Sequence, residues 1–92
     1  MEIMKVSSNS NPSKVAGAIT SLLREHYQLQ IQVIGAASLN QAMKAIAIAR
    51  GYVAPSGQEI YCIPSFYDVT IDEQIITSLR LNVEIHEKDF SF

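Results

Sequence analysis

The segment that most constrains the fold runs from Ile31 to Gly57 and reads IQVIGAASLNQAMKAIAIARGYVAPSG. Its apolar start predicts a strand that ends at Gly35. Ser38, followed three residues later by Gln41, matches the capping box of a helix start. Arg50-Gly51 matches a helix end, because a cation in the last turn and a glycine beyond it are both favoured there. The segment therefore predicts a strand followed directly by a helix from Ser38 to about Arg50.

A helix that begins directly after a strand is a favourable place for phosphate. Its first backbone N–H groups have no partner within the helix, and its dipole is positive at that end. Asn40 and Lys44 are four residues apart and lie on one helix face. Ser38, Asn40 and Lys44 are therefore candidate phosphate contacts. The alternative interpretation is that Lys44 is an ordinary solvent-facing lysine.

A second helix is predicted to begin at Asn11-Pro12, since asparagine is a good N-cap and proline suits the first helical position. Apolar residues then recur at three- and four-residue spacing as far as Leu23. The preceding polar loop contains Ser8 and Asn9, and Lys14 lies in the first turn. Such loops offer hydroxyl and backbone donors to phosphate, although they are usually simple turns.

The second half of the chain predicts two strands. Residues Glu59–Ile63 are apolar on both faces, which is typical of a central strand or of a strand in an oligomer interface. Pro64 interrupts this strand and indicates an edge or a bulge. Phe66–Ile76 is interpreted as a mixed connection. Ser78–His86 alternates between apolar and polar residues, which predicts a half-buried antiparallel strand.

With a short strand before the first helix, the predicted order is β-α-β-α-β-β. We expect an α+β two-layer sandwich in which two helices cover one face of a four-stranded mixed sheet. Residues 1–92 are predicted to form a single domain, with a frayed tail at residues 87–92 that includes Phe90 and Phe92. The four alanines at positions 42, 45, 47 and 49 would allow a partner subunit to approach the central helix closely.

The composition excludes several classes of protein. The chain is 48% hydrophobic and 17% charged, unlike disordered sequences. It has no apolar run of roughly 20 residues, so no membrane association is expected. A single cysteine, Cys62, rules out an internal disulfide, and we expect a cytoplasmic protein.

Charge is distributed unevenly along the chain. Residues 3–50 carry a balance of +4 and residues 51–92 a balance of −5, which with Glu2 gives the net charge of −2. One surface can therefore be basic although the whole molecule is not. The alternative is an ordinary scatter of surface charge.

The sequence offers little for catalysis. Neither His26 nor His86 is placed near Cys62, and a cysteine in mid-strand behaves as a small hydrophobic residue. The acidic residues between positions 68 and 73 lack the spacing of a calcium loop, and Gly35 lacks the paired glycines of a dinucleotide site. We therefore predict no enzymatic activity, no metal and no cofactor.

Three segments, KVSSNSNPSKVAGAI, IGAASLNQAMKAIAIARGYVAPSG and IYCIPSF, closely resemble the stage V sporulation protein S family. The resemblance extends from about Lys5 to Glu84. That family looks like a branch of the Alba-like fold. The resemblance implies homodimers or homotetramers, binding of nucleic acid (DNA or RNA), and a regulatory role in sporulation or development. Gly35 and Lys44-Ala45-Ile46 match the glycine and the lysine-bearing helix of Alba proteins.

Two regions depart from the Alba pattern. Ser8, Asn9 and Ser10 stand where Alba proteins carry a lysine pair, and the last hairpin carries Asp68, Asp72 and Glu73 where theirs is basic. These departures predict that nucleic acid is bound more weakly than by basic arms that grip duplex minor grooves. The predicted contact is made through the first loop and the helix starts, and it is selective for RNA or single strands.

The resulting hypothesis is a non-enzymatic nucleic-acid-binding regulator. The predicted contacts are Ser8, Asn9, Lys14, Ser38, Asn40 and Lys44, with Arg50 in second rank. The rival hypothesis is an oligomeric protein-binding scaffold that regulates development without nucleic acid. Its support is the net negative charge, the acidic last hairpin, and apolar residues expected on outer faces, namely Ile48, Tyr61 and Ile63.

Overall fold

The computed structural model describes residues 2–88. Its elements are β1 (Glu2–Lys5), α1 (Pro12–His26), β2 (Gln28–Val33), α2 (Ala36–Val53), a 3-10 helix (Ala54–Ser56), β3 (Gln58–Ile71) and β4 (Gln74–Glu87). The predicted order β-α-β-α-β-β is thereby confirmed. Glu87 is the last residue of β4, and the backbone N–H of Lys88 donates to the Gly57 carbonyl at 2.8 Å. Phe90 and Phe92 of the predicted tail lie outside the described residues.

The four strands form one mixed sheet in the order β1-β2-β4-β3. β1 and β2 are parallel, whereas β4 is antiparallel to both β2 and β3. The two helices pack against each other and cover one face of the sheet. The predicted two-layer α+β architecture is confirmed, with β2 and β4 as its central strands.

The core lies between the helices and the central strands. Ile31 of β2 and Leu81 and Val83 of β4 are almost completely buried, as are Ile19 and Leu23 of α1. Within residues 79–85 of β4, the apolar residues point toward the helices and the polar residues point away. This pattern confirms the half-buried strand that the alternation of β4 predicts.

The last hairpin is longer than the sequence indicates. β3 continues through Pro64 and, with β4, includes the segment Phe66–Ile76 that was expected to be a connection. Of the two interpretations of this doubly apolar strand, the central strand is wrong, because β3 lies at an edge of the sheet, and the edge that Pro64 indicates is confirmed. At an edge, a proline without an N–H need not break a hydrogen-bond ladder. The two-residue turn Asp72-Glu73 has positive φ at both positions, as type I′ hairpin turns require.

The bounds predicted for the central helix are wrong at both ends. α2 begins two residues before Ser38, and the Leu39 N–H already donates to the Gly35 carbonyl at 3.1 Å. Ser38 therefore lies inside the first turn, where it is buried, and the predicted capping box does not form. The helix also continues through Gly51, and the left-handed stop is Gly57, after the 3-10 helix.

The alanines of α2 serve the chain's own core. Ala42, Ala45 and Ala49 are fully buried within the protomer, and of the four alanines expected to face a partner subunit only Ala47 is exposed. Ile48, which was expected on an outer face, is half-buried against the core. The small residues thus allow α2 to approach α1 and the sheet closely.

Gly35 is required by its backbone conformation. Its φ is +88°, although an added Cβ would meet no described heavy atom within 4 Å. We expect Gly35→Ala to lower the free energy of unfolding by about 1–3 kcal/mol through backbone strain alone. Urea unfolding measures this difference.

The matched control is Gly17→Ala in α1, where the space is equally open among the described residues and the backbone is helical. This variant is expected to gain about 0.5–1 kcal/mol, because alanine is the better helix former. A Gly35→Ala protein as stable as the wild type would contradict the assigned role of φ.

Candidate nucleic-acid interface

Both helices begin at the same edge of the molecule. β1 and β2 are parallel neighbours, so their carboxyl ends lie at one edge of the sheet, and each strand is followed in the chain by a helix. The Gln41 side-chain amide of α2 donates to the backbone carbonyl of Ser10 at 3.0 Å. This bond holds the loop before α1 against the first turns of α2.

The loop between β1 and α1 is ordered by its own serines. The Ser7 N–H donates to Ser10 Oγ at 3.0 Å, and the Asn9 N–H donates to Ser7 Oγ at 3.3 Å. Ser8 and Asn9 are exposed at the tip of the loop. The loop thus presents these two predicted contact residues to solvent on an organised backbone.

The two helix starts differ in what they offer to an anion. At α1, the side-chain oxygen of Asn11 accepts from the N–H groups of Ser13 and Lys14 at 2.9 and 3.2 Å, which confirms the predicted cap. At α2, the capping residue is Gly35, and no side chain within residues 2–88 caps the helix. The first N–H groups of α2 are therefore the open donors at this edge.

The structure brings together most of the predicted contacts. Lys14 and Asn40 are exposed near the two helix starts, whereas Ser38 is only 8% exposed. Lys44 is exposed but lies eight residues beyond Ala36, which places it about 12 Å along the helix axis. One phosphate cannot contact both the start of α2 and Lys44, so a ligand that reaches both must carry several phosphates.

Arg50 lies apart from this group. It is fourteen residues beyond Ala36, about 21 Å along the axis of α2. Its guanidinium donates two hydrogen bonds to the Glu59 carboxylate, at 2.7 Å from Nε and 3.0 Å from the second nitrogen. Arg50, the second-rank candidate for a phosphate contact, is thus paired with the Glu59 carboxylate of β3.

The Arg50–Glu59 pair has a measurable consequence. The hydrogen bonds from Arg50, and next the N–H of Ile60, lower the pKa of the Glu59 carboxyl to about 2. Because this pKa is depressed, the pair's contribution to stability is present above the ordinary carboxyl pKa of about 4.3 and is lost as the pH falls toward 2. Arg50→Gln is expected to raise the pKa of Glu59, as followed by NMR titration of its carboxyl carbon.

Arg24→Gln is the control for this titration. Arg24 is an exposed arginine in the last turn of α1, and within the described part of the chain it forms no ion pair. The same change of charge there should leave the Glu59 titration unchanged. An unchanged Glu59 pKa in Arg50→Gln would show that the pair does not persist in solution.

The family of the chain follows from a comparison with known proteins. The model of the family described as stage V sporulation protein S (SpoVS) matches residues 2–86. The chain belongs to the SpoVS family. This is a family of regulatory sporulation proteins, so the predicted resemblance is confirmed.

Among solved structures, this SpoVS-family chain is similar to Alba from Thermoplasma volcanium. The TM-score is 0.65 at 10% sequence identity, over 94% of this chain and 100% of that chain. At this identity the similarity shows the fold, which is Alba-like. The predicted fold class is therefore confirmed by both the topology and a solved neighbour.

The last hairpin of the SpoVS-family protein projects from the same edge as the helix starts. β2 ends at Val33, which pairs with Leu79, so the first five residues of β4 extend beyond it by about 17 Å. The projecting part carries Asp68, Asp72 and Glu73. The sequence shows that this hairpin is acidic, but the register is needed to show that its acidic end flanks the candidate interface.

The described residues give little support to a metal site or to a reactive cysteine. Residues 2–88 contain no group of three His, Cys, Asp or Glu side chains that could hold a metal ion. Burial raises the pKa of the Cys62 thiol, which disfavours the reactive thiolate. Within the same residues, no helix is both long and apolar enough to cross a membrane.

Proposed function

We propose that this SpoVS-family protein regulates development by binding nucleic acid, without catalysis, at the edge where α1 and α2 begin. The observation that carries this proposal is the uncapped start of α2 beside an exposed polar loop, joined to it by the bond from Gln41 to Ser10. Backbone donors, a positive helix end and exposed lysines on one edge suit a phosphate backbone.

The charges at this edge favour a polyanion. Lys14 and Lys44 are both exposed, and no ion pair neutralises either one within residues 2–88. Their positions along the two helices match several successive phosphates better than one. Nucleic-acid binding is also what the Alba-like resemblance implies.

The acidic hairpin favours single strands over duplexes. A duplex presents two phosphate backbones, and a wide ligand seated at the helix starts meets the projecting end with Asp72 and Glu73. A single strand can follow the helix starts and avoid these carboxylates, since like charges at close range are repulsive. We therefore expect single-stranded RNA or DNA to bind more tightly than duplex DNA.

Fluorescence anisotropy across a salt series tests the proposal with labelled RNA, single-stranded DNA and duplex DNA. Each neutralised phosphate contributes about −0.7 on single strands, or about −0.9 on duplex, to the slope of log affinity against log salt. A slope of several units on single strands is the expected result. Absence of binding even at about 50 mM salt would refute the proposal.

A protein-binding scaffold is the second candidate, and exposed apolar residues of the sheet favour it. Tyr61, Ile63 and Phe66 of β3 are 52%, 58% and 79% exposed. An apolar groove of about 410 Å³ also lies between α2 and the hairpin, lined by Met43 and Leu79 among others. Self-association into dimers or tetramers would cover such surfaces. Sedimentation velocity over a concentration series measures the oligomeric state, and a scaffold must oligomerise without nucleic acid.

A further inference from the structure

Two cations lie in one row on the sheet face opposite the helices. The register pairs Lys5 of β1 with Gln32 of β2, and Gln32 with Arg80 of β4. Gln32 lies between the buried residues Ile31 and Val33, so its side chain and the rest of the row point away from the core. Two strand spacings separate Lys5 from Arg80, about 10 Å between backbones. Their long side chains can therefore reach a common anion.

Arg80 is held in place, and within residues 2–88 no ion pair neutralises it. Its guanidinium carbon lies 4.6 Å from the centroid of the Tyr67 ring, a cation–π contact. Its Nε is buried and, among the described residues, has no hydrogen-bond partner. The hydroxyl of Ser78, a residue only 4% exposed, is likewise buried and unpartnered, and Ser78 pairs with Tyr67 in the register. Buried donors of this kind are rare in folded proteins, because an unsatisfied donor costs about 1–3 kcal/mol.

A small groove opens beside the Arg80–Tyr67 contact. Its volume is about 250 Å³, and the residues that line it include Lys5, Ser7, Gln32, Ser38 and Tyr67. Within the described part of the chain, no acidic residue lines it. Arg80 does not itself line the groove but adjoins it, because both its cross-strand partner Gln32 and its stacking partner Tyr67 are lining residues. The volume is below the roughly 300–1,000 Å³ of pockets for drug-sized ligands, so the groove suits a small anionic group.

We propose that this groove binds a phosphate monoester. Lys5 and Arg80 supply positive charge, Ser7 and Ser38 supply hydroxyl donors, and Tyr67 fixes the guanidinium plane of Arg80. Phosphate accepts several hydrogen bonds at once and pairs well with guanidinium. The start of α2, to which Ser38 belongs, adds its positive end.

The phosphate monoester has two possible sources with the same chemistry. It is either the terminal phosphate of a bound strand or a free phosphorylated small molecule. In the first case the groove extends the proposed nucleic-acid surface and rests on it. In the second case the groove is an independent site, so the experiment must separate the two.

Isothermal titration calorimetry of the full chain tests the groove with inorganic phosphate, adenosine monophosphate, and oligonucleotides with and without a 5′-phosphate. Lys5→Gln and Arg80→Gln are each expected to weaken monoester binding at least tenfold. Arg24→Gln and Lys88→Gln carry the same change of charge outside the groove and should not weaken it. Lys5 is exposed, so Lys5→Gln remains informative if Arg80→Gln fails to fold, which circular dichroism detects.

The outcomes separate this inference from the proposed function. Monoester binding that depends on Lys5 supports the groove, even if long strands do not bind. The groove is overturned if phosphate and adenosine monophosphate do not bind, and if strands bind equally with and without a 5′-phosphate and equally to the wild type and Lys5→Gln. That result leaves the proposed function standing. Monoester binding that survives both Lys5→Gln and Arg80→Gln also overturns it.

Discussion

The double variant Lys14→Gln/Lys44→Gln is expected to bind single-stranded nucleic acid roughly 70-fold more weakly than the wild type at about 50 mM salt. On single strands, each lysine that neutralises one phosphate contributes about 0.7 to the salt slope. For contacts whose contribution vanishes near 1 M salt, two of them correspond to a loss of roughly 70-fold at about 50 mM. The slope itself should become shallower by about 1.4. Anisotropy titrations of both proteins over one salt series measure the affinity and the slope together.

The matched control is Arg24→Gln/Lys88→Gln. It also removes two positive charges, but from the exposed end of α1 and from the residue after β4. A loss of affinity caused only by net charge would be equal in both variants. A loss of affinity caused by lost phosphate contacts would appear in Lys14→Gln/Lys44→Gln alone. Equal slopes for the wild type and Lys14→Gln/Lys44→Gln would show that the assigned surface is wrong.

Replacing Ile31 by alanine is expected to destabilise the fold by about 2–5 kcal/mol. Ile31 has 0% exposure and lies in the central strand β2, between Met4 of β1 and Leu81 of β4. The smaller side chain loses the transfer free energy of its apolar atoms and leaves a cavity that close-packed neighbours fill only in part. Urea unfolding followed by circular dichroism measures the loss.

Ile75→Ala is the control for this core substitution. Ile75 is 73% exposed near the turn of the last hairpin, so the same chemical change removes little buried surface. Its effect is expected to stay within about 0.5 kcal/mol, as for most surface substitutions. Similar losses in both variants would place Ile31 outside the core.

The sequence predicts correctly those features that depend on neighbouring residues. The cap at Asn11 and the proline beside it act over one turn of helix, and the period of two in Ser78–His86 reports a strand with one buried face. The resemblance through the segment around Gly35 and Lys44 led to the family and to the Alba-like fold. These signals are local, so no contact with a distant residue was needed to read them.

The candidate interface was only partly predictable for the same reason. Ser8, Asn9 and Lys14 follow from the loop and cap chemistry of the first helix. The capping box at Ser38 was wrong, because Gly35 takes a conformation with positive φ and starts the helix two residues earlier. The local Ser-x-x-Gln pattern is compatible with either start, and in the structure Ser38 lies buried inside the first turn.

The sequence alone determined the element order, the cap of α1 and the family, because each depends on short-range patterns of residue type. Only the tertiary structure decided that β3 is an edge strand that tolerates Pro64, and that Arg50 is paired with Glu59. It also placed Arg80 in one cross-strand row with Lys5, and the acidic hairpin beside the helix starts. These relations join residues that are distant in the chain, and the strand order and register that bring them together are set by burial of the whole core.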